Sequence, residues 1–207
     1  MNFKVFELRS MGANCYVLWD EETNIAMLID PGEEDARIDK FIEKNGLKPI
    51  YIALTHTHFD HINGVKFYSE KYGAKIIAHE LDAPGLTDNA LNLSAFFGLG
   101  DAQKPADILL KDDDEIMLGN SPIKIIHTPG HTVGGICFST DIGIFSGDTL
   151  FFESIGRSDF PGGNGSVLNK SIVQKLYSFP DETLVYPGHG QHTTIGHEKQ
   201  FNFFVKR

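Results

Sequence analysis

Residues 49–64 read PIYIALTHTHFDHING, an apolar run that leads directly into a cluster of polar side chains. Within six positions this cluster holds three histidines and one aspartate: His56, His58, Asp60 and His61. The run PIYIAL is typical of a buried strand, and His56 and His58, two apart on an extended chain, project to the same side. Burying so many polar side chains is costly unless they are paired or bound to metal. The stretch therefore predicts a metal site at the end of a strand.

Four more polar residues stand just past apolar, strand-like stretches and beside glycine or proline. His131 lies in IIHTPGHTVGG (125–135), Asp148 in GIFSGDTLF (143–151), His189 in LVYPGHG (184–190), and Asp30 ends AMLIDPG (26–32). Glycine permits the tight turns that let such side chains point into a shared cleft. If the strand ends converge, the first three of these residues join the cluster at 56–61 around one site.

These seven side chains are five imidazoles and two carboxylates. Such ligands suit zinc, iron, manganese or nickel, and the absence of a nearby thiolate argues against a closed structural zinc site. Seven ligands are too many for one tetrahedral ion but fit two ions roughly 3.5–4 Å apart that share a carboxylate. Asp148 is the candidate bridge. The other histidines are expected elsewhere. His79 and His127 are expected in packed positions, and His192 and His197 in solvent, with the mouth of the cleft as the alternative for either.

Strand and helix patterns alternate along the chain. Two halves each contain a buried strand that leads to a histidine-bearing loop, which predicts an α/β sandwich of two packed sheets with helices outside and loops at one edge. A helix is predicted over 166–178 with Val167, Leu168, Ile172, Val173 and Leu176 inward. Residues 81–107 lack a steady period and are predicted to be a long loop with short helical pieces. With no linker-like segment, residues 1–207 are expected to form a single domain.

Composition narrows the class of partner. Eighteen Lys and Arg against 28 Asp and Glu give a net charge of −10, which disfavours nucleic acid and anionic membrane surfaces. There is no signal-peptide pattern and no apolar run long enough to span a bilayer. Cys15 and Cys137 lie in apolar stretches and are expected to be buried thiols rather than a disulfide. These features predict a cytoplasmic protein without a nucleic-acid or membrane partner.

The motif THTHFDH, followed downstream by single His, Asp and His residues, resembles the metallo-β-lactamase superfamily. HTPGHTVGGICF (127–138), GDTLFFESIGRSDFPGG (147–163) and YPGHGQHTTIG (186–196) are similar to its compact glyoxalase II-like branch, the hydroxyacylglutathione hydrolase-like thioesterases. The resemblance covers nearly the whole chain. It implies a four-layer αβ/βα sandwich, with two mixed β-sheets between outer helices.

The resemblance also implies roles for the site residues. His56, His58 and His131 would hold one metal, Asp60, His61 and His189 a second, and Asp148 would bridge them. Asp30 would orient a ligand histidine, a common arrangement around metal-bound imidazoles. The implied cofactor is a pair of divalent ions, with zinc expected and iron or manganese as alternatives.

The implied activity is hydrolysis of a small thioester, S-lactoylglutathione or a related thiol ester, by a metal-bridging hydroxide. Asp60 would be the catalytic residue that orients the hydroxide and accepts its proton. Glyoxalase II enzymes grip glutathione with a C-terminal helical extension, and KQFNFFVKR (199–207) is too short for one. The substrate is therefore expected to be a small thioester that need not carry glutathione.

Other members of the superfamily supply alternative functions. The main one is a persulfide dioxygenase with a single iron, because GRSDF (156–160) is similar in that branch too; a lactonase is a weaker alternative. Antibiotic hydrolysis is not expected, since zinc β-lactamases carry Cys near the position of Asp148.

Two groups of residues are candidates for the substrate pocket. Phe96, Phe97 and Leu99 lie in the long loop and would either line the pocket or cover the core. Arg157 would contact substrate or form a structural salt bridge with Asp159, and the salt bridge is the favoured interpretation.

Overall fold

The computed structural model describes residues 1–98 and 103–205, and these form two six-stranded sheets and a short hairpin. The first sheet has the order β1-β2-β3-β4-β5-β6, with β1 (Asn2–Glu7), β2 (Asn14–Trp19), β3 (Ile25–Ile29), β4 (Lys48–Ala53), β5 (Lys75–His79) and β6 (Ile108–Leu110). The second contains β7 (Glu115–Leu118), β8 (Ser121–His127), β9 (Ile136–Thr140), β10 (Gly143–Gly147), β13 (Leu184–Pro187) and β14 (Thr193–Thr194). Its order is β14-β13-β10-β9-β8-β7, and β11 (Leu150–Phe151) pairs with β12 (Ser154–Ile155). Both large sheets mix parallel and antiparallel pairs.

The sheets pack face to face between two layers of helices. In β3, Met27 and Ile29 face the second sheet, whereas Leu28 faces the helices, as the two-residue period of a strand requires. Helices α1 (Ala36–Asn45) and α3 (Val65–Tyr72) cover the outer face of the first sheet; α5 (Gly165–Gln174) and α6 (Ile195–Phe201) cover that of the second. The predicted four-layer sandwich with mixed sheets is confirmed.

Glycines end helices α1 and α3. Gly46 and Gly73 take left-handed φ angles of 60° and 65° after α1 and α3. The apolar face running from Ile62 to Tyr72 is divided between a short helix α2 (Phe59–Ile62) and α3. Gly64 lies at the break, where a Cβ atom would be 2.6 Å from the Pro31 carbonyl oxygen.

Two details of the predicted helix at 166–178 are wrong. The α-helix ends at Gln174 and gives way to a 3-10 turn at Leu176–Ser178. Val167 is 37% exposed, because the helix buries Leu168 and Ile172, one turn apart, against the second sheet.

The segment 81–107 is confirmed, in its described part, as loop with short helical pieces. It contains a 3-10 helix at Ala83–Leu86 and the one-turn helix α4 (Ser94–Phe97). Leu99 lies outside the described residues.

Cys15 and Cys137 are buried free thiols whose pKa values are raised by burial. Among the described residues we find no helix with the length and apolar character needed to cross a membrane.

Candidate metal centre

The ends of several strands bring the seven predicted side chains to one place. His56 and His58 follow β4, and Asp60 and His61 lie in α2. From the second sheet, His131 lies in the loop between β8 and β9, Asp148 follows β10 and His189 follows β13. Their ligand atoms form two groups, each with its atoms within 4.8 Å of one another: His56, His58, His131 and Asp60, His61, His189.

Asp148 lies between the two groups. Its Oδ1 is 3.5 Å from Nε2 of His61, and its Oδ2 is 3.5 Å from Nε2 of His131. Oδ2 is also 3.7 Å from Nε2 of His189. The carboxylate therefore faces both groups, the position from which it can bridge two ions.

Asp30 forms a third possible group with His56 and His61, but its oxygens are already engaged. They accept hydrogen bonds from the backbone N–H of Thr55 at 2.8 Å, from the Thr55 hydroxyl at 2.5 Å and from Nδ1 of His61 at 3.2 Å. Since the Thr55 hydroxyl donates to Asp30, it accepts from Nδ1 of His56 at 3.1 Å. Asp30 thus fixes the proton on Nδ1 of both rings and leaves both Nε2 atoms for the centre.

A backbone carbonyl does the same for His131. Nδ1 of His131 donates to the Arg157 carbonyl oxygen at 2.6 Å, because that oxygen can only accept. The remaining atom, Nε2, faces Asp148.

Three atoms of the cluster are buried and lack a hydrogen-bond partner among the described residues: Nε2 of His56, Nε2 of His131 and Oδ1 of Asp148. Buried polar atoms in folded proteins are nearly always satisfied, so unpartnered ones call for an explanation such as an ion. Nitrogen and carboxylate oxygen atoms that converge in this way fit a divalent cation. The residues present therefore suit the metal that the motif predicts.

Charge in the cluster favours a cation as well. Burial and neighbouring imidazoles lower the pKa of His56 well below its usual value and that of His58 to about 3, so both are neutral, the form that binds metal. Burial also lowers the pKa of His61, but Asp60, Asp148 and Asp30 outweigh it and raise that pKa to about 10. The carboxylates of Asp60, Asp148 and Asp30 therefore favour a positive charge at this position.

Glycine leaves the space that the ligands occupy. A Cβ atom on Gly188 would lie 2.2 Å from Oδ1 of Asp148 and 2.9 Å from Cε1 of His61. One on Gly147, whose φ is 48°, would lie 2.2 Å from the Thr55 hydroxyl oxygen. Besides permitting turns, these glycines therefore make room for side chains of the centre.

A cavity of about 440 Å³ opens beside the cluster. Its lining consists of Met11, His58, Phe59, Asp60, Leu93, Phe97, His131, Asp148, Phe151, Ser154, Ile155, Arg157, Phe160 and His189. Phe97 and Arg157, two of the pocket candidates, thus line this cavity. Phe96 does not: it is 70% exposed, since successive residues of a helix point in different directions and it is Phe97 that packs on Phe59, with ring centroids 4.9 Å apart.

Arg157 and Asp159 form the predicted salt bridge. Nε and Nη2 of Arg157 lie 3.0 and 2.8 Å from the two Asp159 oxygens, and both side chains are exposed. The guanidinium also lies over the Phe160 ring, 4.2 Å from its centroid. Arg157 therefore lines the cavity while already paired.

The other histidines lie outside the cluster. His79 and His127 stack with ring centroids 4.2 Å apart, as packed residues do, and His192 is exposed. His197 is neither free in solvent nor part of the cavity lining: its Nε2 lies 3.0 Å from a carboxylate oxygen of Glu153, and its ring stacks on Phe152.

One supporting residue has no signal in the sequence. Asp82 is 5% exposed, and its carboxylate accepts from the Thr132 hydroxyl at 2.7 Å and the Gly134 N–H at 2.6 Å. Its carbonyl oxygen accepts from the hydroxyl of Thr57 at 2.9 Å. Asp82 therefore ties the loop of His131 to the loop of His56 and His58, through contacts distant in sequence.

Comparison with known proteins identifies one family. The family model for the metallo-β-lactamase superfamily matches residues 9–189 of this chain. An uncharacterized protein of Mycobacterium tuberculosis strain H37Rv is 38% identical over 95% of this chain and 94% of its own. Probable metallo-hydrolase YqgX of Bacillus subtilis is 35% identical, and hydroxyacylglutathione hydrolase GloC of Haemophilus influenzae 34%, each over 99% of this chain and 98% of its own.

Several solved structures are similar to this chain over nearly its whole length. BLEG-1 B3 metallo-β-lactamase is 35% identical with a TM-score of 0.94 and covers 100% of both chains. TTHA1623 in a di-iron-bound form is 33% identical with a TM-score of 0.87, over 98% of this chain and 100% of its own. ETHE1 from Myxococcus xanthus is 30% identical with a TM-score of 0.85, over 99% and 84%.

Proposed function

The chain belongs to the metallo-β-lactamase superfamily, and from that premise we propose that it is a dinuclear metal-dependent hydrolase of small thioesters. The observation that carries the proposal is the pair of ligand groups with Asp148 between them, in which three buried ligand atoms lack a hydrogen-bond partner in the part of the chain that the structure describes. Similarity to hydroxyacylglutathione hydrolase GloC supports thioesters as the substrate class.

We assign the ligands as the geometry groups them. One ion would be held by His56, His58 and His131, the second by Asp60, His61 and His189, and Asp148 would bridge. Zinc is the proposed metal because imidazole and carboxylate suit it. Iron is the alternative, and similarity to a protein solved in a di-iron-bound form supports it.

Two bound cations would supply a nucleophilic water of lowered pKa and an electrophile for the substrate carbonyl oxygen. We assign to Asp60 the roles of orienting that water and accepting its proton; the assignment is supported by its position in the cavity lining and by the 3.3 Å distance from its Oδ2 to Nε2 of His189. Asp30 and the Arg157 carbonyl hold three of the imidazoles in the binding tautomer. The leaving thiolate needs no strong acid, which agrees with a described cavity lining that offers no Lys, Tyr or Cys.

A small molecule is the proposed partner. The net charge of −10 opposes nucleic acid and anionic membranes, and two free thiols are typical of a reducing compartment, which supports action in the cytoplasm.

Thioester hydrolysis assays and metal analysis, made on the wild type and on the variant Asp148→Asn after incubation with metal, test the proposal. We expect hydrolysis of S-lactoylglutathione or its N-acetylcysteamine counterpart, and loss of both metal and nearly all turnover in Asp148→Asn. An Asp148→Asn protein with full metal and full rate would contradict the assignment.

The second candidate is the persulfide dioxygenase, favoured by the GRSDF stretch at 156–160. Oxygen uptake with glutathione persulfide, one iron per chain and no thioester turnover would establish it instead.

A β-lactam should be assayed alongside the thioesters, because BLEG-1 B3 metallo-β-lactamase is 35% identical to this chain. The absence of Cys at position 148 is therefore not enough to exclude β-lactam hydrolysis.

A further inference from the structure

Away from the ligand cluster, the cavity wall is almost entirely apolar. Seven of its described lining residues are large hydrophobic side chains: Met11, Phe59, Leu93, Phe97, Phe151, Ile155 and Phe160. Apart from the cluster, the polar ones among the described lining residues are Ser154 and Arg157. Pockets lined this way gain affinity from apolar surface, while a few polar groups fix orientation.

Apolar rings flank the cluster on both sides. Phe160 lies beside His58 with ring centroids 5.8 Å apart, and Phe151 beside His189 at 6.1 Å. A group on either side of a carbonyl at the cluster would therefore contact an aromatic ring. The apolar surface also reaches solvent, where Phe97 is 49% and Met11 63% exposed. Exposed apolar side chains gathered at a cavity mouth are typical of a binding site.

The positive charge of Arg157 is already matched. Both oxygens of Asp159 accept from its guanidinium, and Phe160 covers one face of the group. Arg157 is the sole Lys or Arg among the described residues that line the cavity. A substrate carboxylate in the cavity would have to compete with Asp159 or remain unpaired against apolar surface, which is unfavourable.

We propose that the cavity selects uncharged thioesters with an apolar group of several carbons, and disfavours thioesters of carboxylate-bearing thiols such as glutathione. This inference rests on the proposed thioester hydrolysis and names the substrate class for the same site. Phe97 contributes to recognition of the apolar group, and Asp159 keeps Arg157 from recruiting anions.

Four thioesters test the selectivity: the acetyl and hexanoyl esters of N-acetylcysteamine and of glutathione. We expect kcat/KM for hexanoyl over acetyl on the same thiol to rise at least about tenfold, because each buried methylene adds apolar contact. We expect the N-acetylcysteamine esters to exceed the glutathione esters by about tenfold, since carboxylates stay unpaired only with glutathione. Preference for glutathione esters, or no effect of acyl length, would overturn the proposal.

Neighbouring phenylalanines provide a matched pair of variants. Phe97→Ala should reduce kcat/KM for the hexanoyl ester about fivefold with little effect on the acetyl ester, since one wall of contact is lost. Phe96→Ala, which changes an exposed ring outside the cavity, should leave both values unchanged. Equal effects of the two variants would contradict the role of Phe97. Asp159→Asn should raise kcat/KM for the glutathione esters relative to the neutral ones, and an unchanged ratio would count against the masking of Arg157.

A binding measurement separates the selectivity from the reaction. The probes are two thioethers that cannot be hydrolysed, S-hexyl-N-acetylcysteamine and S-hexylglutathione, titrated calorimetrically into the metal-loaded protein. Tighter binding of the neutral thioether is expected; if no thioester is turned over, that result keeps the selectivity and removes the proposed reaction. Equal or tighter binding of S-hexylglutathione removes the selectivity, whatever the activity.

Discussion

Asp30 orients two imidazoles of the cluster, His61 directly and His56 through the hydroxyl of Thr55. It is 1% exposed and has a positive φ of 52°, so the fold holds it there in an unfavourable backbone conformation. Such strain is tolerated where a side chain must be aimed, and here it aims a carboxylate at ring nitrogens rather than at the metal positions.

The Thr55 hydroxyl is therefore expected to matter for metal binding. Thr55→Val keeps the shape of the side chain but removes the acceptor for Nδ1 of His56. We expect metal affinity to fall by about 10- to 100-fold, the usual cost of losing such a supporting group. Competition with a chromophoric chelator measures the affinity. Thr55→Ser, which keeps the hydroxyl, should bind like the wild type; a Thr55→Val protein within twofold of wild type would show that the relay is unimportant.

At this scale the sequence predicts the residues that repeat a pattern and misses those that do not. The seven cluster residues and Asp30 all follow apolar strands, so strand convergence brings them together. The carbonyl of Arg157 and the carboxylate of Asp82 act through contacts 26 and 50 residues away, to His131 and Thr132 respectively. Such contacts leave no local pattern. The assignment of ligands to two ions stays a prediction.

At the level of helices and strands, the Asp20 carboxylate joins the two sheets at the end of the sandwich opposite Asp30. Asp20, in the turn between β2 and β3, accepts hydrogen bonds from Thr23, from the backbone N–H of Asn120 between β7 and β8, and from the hydroxyl of Ser121, the first residue of β8. One side chain therefore ties the two sheets together. The hydroxyls of Thr23 and Ser121 hold the pKa of Asp20 at about 2.

Stability should consequently depend on pH through Asp20. Its folded pKa lies below the unfolded value of about 3.9, so its contribution is present above that value and is lost as pH falls toward the folded pKa. Asp20→Asn should lower Tm at pH 6, and its difference from wild type should narrow as pH falls from 5 toward 3. Ser121→Ala, which removes one donor, should give a smaller loss of the same sign. A difference that is constant with pH would exclude this role for the carboxylate.

Most elements were predictable from the sequence because apolar periods and glycine stops mark them. Strand β6 was not predicted: it has three residues, of which Leu109 is 55% exposed, and it is ordered by parallel pairing with β5. The apolar character of Val167 predicts an inward position. However, a helix packs only one face against a sheet, and in α5 that face contains Leu168 and Ile172.

In the whole molecule, the cluster joins the two sheets. His56, His58, Asp60 and His61 follow β4 of the first sheet, whereas His131, Asp148 and His189 come from loops of the second. The two-sheet arrangement was predictable from the repeated pairing of buried strand and histidine loop. The single-domain prediction for residues 1–207 stays a prediction.

Because ions at the cluster would hold ligands from both sheets, removing them should destabilise the folded protein. At metal concentrations about 100-fold above Kd, binding stabilises by roughly 2.7 kcal/mol, which for a chain of this size corresponds to a Tm lower by about 5–10 °C after chelation. Differential scanning calorimetry before and after chelation measures the shift, and re-addition of zinc should reverse it. An unchanged Tm in protein shown to have lost its metal would contradict the cross-sheet role.

The most direct test of a dinuclear hydrolase is the rate of thioester hydrolysis while zinc is added in steps to metal-depleted protein. With S-lactoylglutathione and its N-acetylcysteamine counterpart as substrates, we predict a rate that rises to a plateau at about two zinc ions per chain. A plateau at one ion, or no hydrolysis of either thioester with two ions bound, would contradict the proposed function.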